Sequence, residues 1–124
     1  MKNKRWVWIF SCLMVWGCED FFEKDLSGKQ PELIAPADNA ETFSGDQLFL
    51  WKELPGGKVY RLLIVTPSFE NPALCILDTL VNTCLFSYSL KAGEYAWGIR
   101  AENFAWKGDF CIRNLIVLSQ SSEP

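Results

Sequence analysis

The 124-residue chain has no histidine. That removes Ser-His-Asp and Cys-His nucleophile pairs, His-ligated zinc and the ordinary general base near neutral pH. No C-x-x-C pair occurs among the five cysteines, so the usual spacing of structural zinc or dithiol redox chemistry is missing. A basic excess is absent too: 12 Lys and Arg face 15 Asp and Glu. No nucleic-acid footprint is expected. Glu41, Asp46 and Asp78 sit near turns and strand ends, where carboxylates serve solvation and turn bonding, and no dense oxygen-ligand loop surrounds them. "PGGK" at 55–58 lacks the spacing and the strand–loop–helix setting of a phosphate loop. No catalytic residue, metal or cofactor is therefore expected. The longest apolar run, Trp6 to Trp16, has eleven residues. As a helix it would rise about 16 Å, roughly half of a bilayer core.

That run is too short to span, but it suits the h-region of an export signal, with Lys2, Lys4 and Arg5 as the positive n-region. "VWGC", Val15 to Cys18, resembles a bacterial lipobox: aliphatic at minus three, small at minus one, cysteine at plus one. The bulky Trp16 at minus two departs from the usual small residue. The resemblance implies cleavage before Cys18 and a diacylglycerol on its thiol. "IFSC", Ile9 to Cys12, fits the same pattern, but it shortens the apolar run and leaves "LMVWG" at the start of the mature chain. Cys18 is the expected lipidation site. Each buried methylene contributes about 0.8 kcal/mol, so two or more acyl chains hold firmly. Residues 1–17 are then a signal peptide, and 18–31 a lipidated amino terminus and flexible tether, charged and closed by Pro31. Losing Lys2, Lys4 and Arg5 leaves nine basic against fifteen acidic residues, a net charge of −6.

From residue 32 the hydrophobic period is two. "QLFLWKEL" at 47–54 turns Phe49 and Trp51 inward, and "KVYRLLIV" at 58–65 aligns Tyr60, Leu62 and Ile64. "GEYAWGIRAEN" at 93–103 sets Tyr95, Trp97, Ile99 and Ala101 against Glu94, Gly98, Arg100 and Glu102. Further strands are expected at 32–36, 73–78, 83–90 and 110–118, with "ADNAETFSGD" and "PGG" as turns. About seven short strands, each with one apolar face, predict an all-β, antiparallel two-sheet sandwich over 32–119, followed by a disordered tail at 120–124. Cys75, Cys84 and Cys111 read as small apolar residues buried in strands. A Cys75–Cys84 or Cys84–Cys111 bridge is the alternative that an oxidising compartment opens.

"LKAGEYAWGIRAEN", Leu90 to Asn103, resembles the end of strand E, the corner and strand F of fibronectin type III and immunoglobulin-like domains. The resemblance covers about 33–118. It implies a tyrosine corner at Tyr95, a core tryptophan at Trp51 and a strand C in "VYRLLI". Together with the lipid signal, the short acidic tether and "ELIAPADNA", the chain looks like small Bacteroidota lipoproteins of the outer membrane. Proteins of that kind hold the membrane through the amino-terminal lipid and serve as interaction or spacer modules for protein or glycan partners. The periplasmic and cell-surface faces both stay open. A glycan-binding accessory of an outer-membrane uptake complex is the alternative.

The candidate binding residues are Phe104 and Trp106 in "NFAWKGD", 103–109, flanked by Glu102, Lys107 and Asp109. An exposed tryptophan beside polar groups suits stacking on a sugar or anchoring a protein. Phe104 is expected to fold back over the open end of the sandwich; for Trp106 both readings stand. If the chain enters the domain at this pole, Trp106 faces a membrane-proximal partner or lipid headgroups.

Overall fold

The computed structural model describes residues 24–120. The expected signal peptide, Cys18 and the tether up to residue 23 lie outside the described residues, as does the tail from 121 onward. The described chain forms eight strands: β1 Leu33–Ala35, β2 Ala40–Phe43, β3 Gly45–Trp51, β4 Val59–Thr66, β5 Leu74–Val81, β6 Leu85–Leu90, β7 Gly93–Glu102 and β8 Cys111–Leu118. They build two sheets, β1-β3-β6 and β2-β8-β7-β4-β5. The all-β two-sheet architecture is as the periodicity predicts. One strand had no such signature: β2 lies inside the stretch read as a turn and runs parallel to β8. Its four residues are only alternately half-buried, so no apolar face marks it. Pairing with β8 alone makes it a strand.

The inward rows meet between the sheets. Phe49 and Trp51 of β3 face Tyr60, Leu62 and Ile64 of β4 and Trp97 and Ile99 of β7, all buried. Phe49 packs 4.9 Å from Trp97 between ring centroids, and Trp51 packs edge-on to Tyr60 at 6.0 Å. These geometries add to plain area burial. Gln47, on the same inward row as Phe49, is buried without penalty. Its amide donates to the carbonyls of Phe43 and Gly45, and its carbonyl accepts from the Thr42 hydroxyl. The β2–β3 turn thus satisfies a polar group that would otherwise be costly to bury.

Two features close the sandwich. Tyr95 donates from its hydroxyl to the Lys91 carbonyl at 2.8 Å, pinning β7 to the β6–β7 corner. Arg113 of β8 lies opposite Trp97 and reaches across to β1, donating to the carbonyls of Leu33, Ile34 and Pro36 at 2.8, 3.2 and 2.7 Å. A single guanidinium therefore laces the sheets together on the side where β1 and β8 meet. Such charge-assisted bonds are stronger than neutral ones.

The outward face of β7 is not simply polar. Ala96, Gly98 and Glu102 are buried, and at Gly98 the cover is Phe69 of the β4–β5 loop and Phe110, with rings 6.1 Å apart. A methyl group at Gly98 would meet those rings at 3.1 and 3.2 Å. The wide sheet has a covered second face at its centre, where β4 and β7 lie. Cys75, Cys84 and Cys111 are free thiols, and Cys75 is exposed on edge strand β5, not buried. Burial and the nearby Glu53 push the Cys84 thiol above its ordinary value, which disfavours the thiolate.

Candidate functional site

The flexible stretch expected up to Pro31 is docked from Lys24 onward. Leu26 is 0% exposed and belongs to the core, and Pro31 is buried. The Leu26 carbonyl accepts from Lys29 N–H at 3.0 Å, closing a turn whose Gly28 has φ +70°. Asp25 shapes the same turn by accepting from the amide and hydroxyl of Ser27, which hold its carboxyl below the ordinary value. Two further ties fasten this strap to the end of the domain: Asp109 N–H donates to the Lys29 carbonyl, and the Gln30 amide donates to the Phe110 carbonyl. "DLSG" is turn chemistry. That was the legible sign that Leu26 belongs to an ordered segment.

The strap lies directly against the 103–109 loop. Asn103 organises both. Its side-chain carbonyl accepts from the amides of Ala105 and Trp106 at 3.1 and 2.8 Å. Its amide group donates to the Lys24 carbonyl at 2.8 Å and the Gly56 carbonyl at 3.1 Å. Its backbone N–H donates to the Trp106 carbonyl. One residue thus joins the loop, the "PGG" turn and the first described residue of the chain. The chain enters the domain at the pole that carries Phe104 and Trp106.

Phe104 does not fold back. The residue is 97% exposed, directly after Asn103 in the turn. Trp106 is 38% exposed, partly sheltered and partly wet. Tyr95 lies at the other end of β7, in the core and corner, and takes no part in this loop.

Gly108 sets how closely strap and loop meet. A methyl group there would come within 2.8 Å of the Lys29 carbonyl and 3.3 Å of the Leu26 carbonyl. Gly108→Val is expected to lift the strap while leaving the sheets intact, exposing Leu26 at a cost of about 2 kcal/mol. Hydrogen exchange checks this: the Lys29 and Asp109 amides should lose protection while β4 and β7 keep theirs. Unchanged protection at both amides would refute the docking.

Charge is distributed unevenly along the long axis. Of the six lysines in the described residues, Lys24, Lys29, Lys52, Lys58 and Lys107 lie on segments at the strap pole, against Asp25, Glu32, Glu53 and Asp109 there. The opposite half holds Asp38, Glu41, Asp46, Glu70 and Glu94 against Lys91 alone. Between them, Glu102 accepts from Arg61 and Arg100, which face each other across β4 and β7, while Asp78 takes the far side of Arg61. Burial works to raise the Glu102 carboxyl, but the bonds from Arg100 and Arg61 outweigh it and hold the group below its ordinary value. Arg100 also stacks over Phe110 at 4.9 Å. A shallow groove of 390 Å³ opens at the far end, lined by Asn39, Ser68, Glu70, Asn71, Glu94 and Asn114 among others. These residues come from four separate stretches of chain and carry no common motif, so only the fold gathers them. Among the described residues no cluster of three or more Cys, Asp or Glu is arranged to hold a metal ion.

The sequence matches no family model and no curated protein. The backbone does match solved structures. The fibronectin type III domain of human fibronectin type III domain containing protein 3 superposes with a TM-score of 0.54 at 13% identity, over 80% of this chain and 94% of that one. The fibronectin type III domain derived from the human KIAA0970 protein gives 0.52 at 16% identity, over 76% and 73%. An Fn3-like protein from Clostridium thermocellum gives 0.50 at 13% identity, over 76% and 95%. The fold is fibronectin type III-like. Within that sandwich, β1-β3-β6 is the smaller sheet and β8-β7-β4-β5 the larger, with β2 added beside β8. At such low identity the likeness concerns the fold, and the site must be read from its own residues.

Proposed function

We propose that this chain is a non-catalytic lipoprotein of the bacterial cell envelope, acylated at Cys18 and anchored in the outer membrane. Its fibronectin type III-like sandwich serves as an interaction or spacer module. The observation that carries the reading is the strap. Lys24 is bonded to the same asparagine that shapes the 103–109 loop, so an anchored chain presents that pole to the membrane and the far end outward. Cys18 stands six residues before Lys24. A fully extended chain of that length reaches only about 20 Å. The domain would sit close to the bilayer, with far less freedom than a tether running to Pro31 allows.

Intact mass after expression in a lipoprotein-competent host tests this. The expected product lacks residues 1–17 and carries a diacylglyceryl adduct that Cys18→Ala abolishes. A chain retaining its leader, or one cut there without lipid, would defeat the proposal. Protease shaving of whole cells then distinguishes the periplasmic from the surface face.

The far groove supports a second reading as a glycan-binding accessory of an uptake complex. Asn, Ser and Glu side chains at the outward end offer donors and acceptors suited to sugar hydroxyls. A glycan array in which no bound sugar is lost on Glu70→Ala or Asn114→Ala would dismiss it.

A further inference from the structure

Phe104 is the most exposed large apolar side chain among the described residues, yet the turn beneath it is tightly held. Asn103 uses both side-chain heteroatoms and its backbone N–H to hold that turn against the strap and the "PGG" corner. The ring is presented outward by a fixed scaffold. Trp106, two residues on, is 38% exposed, and a part-exposed indole suits a membrane–water boundary.

We infer that Phe104 and Trp106 insert into the interfacial layer of the leaflet that holds the Cys18 acyl chains, so that the sandwich stands on its strap pole and does not swing above the bilayer. The inference rests on the acylation proposed above. Three observations select a phospholipid surface as the occupant. The undescribed residues 1–23 join the domain at Lys24, whose carbonyl is bonded to the Asn103 turn itself. Lys24, Lys29 and Lys107 belong to the segments around that turn. Long lysine stems can lie along apolar surface while their heads meet phosphate. The far half carries Asp38, Glu41, Asp46, Glu70 and Glu94 against Lys91 alone, and repulsion of that end from an anionic surface favours the same orientation. Glu19, Asp20 and Glu23, with Asp25, Glu32, Glu53 and Asp109, outnumber the five lysines of this pole, so the two rings supply the contact, and charge enters only because the far end is more negative still. A single turn bearing two rings is also much smaller than the roughly 800 Å² per partner that a stable protein interface buries.

Tryptophan emission makes the inference measurable. Cleavage before Cys18 leaves three tryptophans, of which Trp51 and Trp97 are buried in the core. The acylated chain is reconstituted in vesicles of phosphatidylcholine and phosphatidylglycerol, with or without bromine on the acyl chains. Brominated lipid should quench the emission, and Trp106→Phe should abolish that quenching. Phe104→Asp should weaken it, while Phe43→Ala, an exposed ring on β2, should leave it unchanged. Both 104 and 43 are surface positions, so folding is kept, as the far-ultraviolet circular dichroism of each variant will show. If the mass carries the lipid adduct and brominated lipid quenches nothing, or quenching survives Phe104→Asp undiminished, the inference is overturned while the acylation stands; the pole is then left to a protein partner or a second copy of this chain. If the adduct itself is missing, both fall together.

Discussion

Trp97→Ala is expected to cost about 3–5 kcal/mol, which is a third or more of the stability of a typical domain. Trp97 is 0% exposed and lies in the middle of β7, paired with Ile64 on one side and Arg113 on the other. Removing it opens a large cavity between the sheets and withdraws the partner of Phe49. Its indole N–H, however, has no hydrogen-bond partner among the described residues. A buried unpaired donor costs about 1–3 kcal/mol. Trp97→Phe keeps most of the ring and deletes that donor, so its net loss should be about 1 kcal/mol. Urea unfolding followed by circular dichroism measures both. Equal losses for Ala and Phe would show that the indole N–H carries a bond after all, and a loss below 1 kcal/mol for Ala would mean that the core is not built around this ring.

The second large effect concerns charge. Arg61 and Arg100 sit directly opposite each other on β4 and β7, and Glu102, 7% exposed, lies between them. Glu102→Ala leaves two facing guanidinium groups with only Asp78 nearby. A loss of about 2 kcal/mol is expected: removing the carboxylate leaves uncompensated charge, while the two arginines, a quarter exposed, are partly screened by water. The same carboxyl predicts a pH dependence. Burial raises it, the two arginines lower it more, and the net result is a value below the ordinary 4.5. A group held lower in the folded chain than in the unfolded one stabilises fully above the unfolded value. That contribution disappears as the pH falls through the folded value. The urea midpoint should therefore drop as pH decreases below about 4.5, and Glu102→Gln should flatten part of that drop. A variant with an acid slope identical to the parent's would remove Glu102 from the account. Asp25, the other carboxyl held low, is fully exposed and adds no comparable slope.

Much of the architecture was legible because the inward rows are long and aromatic. In β7 the alternation of Tyr95, Trp97, Ile99 and Ala101 leaves one register, since a slip of one residue would turn every ring out of the space between the sheets. The same holds for Phe49 and Trp51 in β3. Less was legible where a segment depends on a distant partner. The four residues of β2 show no buried row, and their strand exists through β8. Leu26 looked like one apolar residue in a polar linker, yet it fills the core because Gly56 and Gly108 leave room for the strap. The covered outer face of β7 follows from Phe69 and Phe110, which are 41 residues apart in the chain.

The candidate site divides in the same way. That an aromatic loop follows strand β7 can be read directly from "NFAWKGD". That Phe104 points outward depends on Asn103 finding Lys24 and Gly56, 79 and 47 residues away in sequence. The sequence by itself determined the alternating faces, the two-layer class and the chemistry the chain lacks, because period, residue type and absence are local properties. Only the tertiary structure decided which end of the sandwich receives the chain, which rings stay in water and where the charges gather. Those outcomes rest on hydrogen bonds and contacts between residues that no local pattern joins.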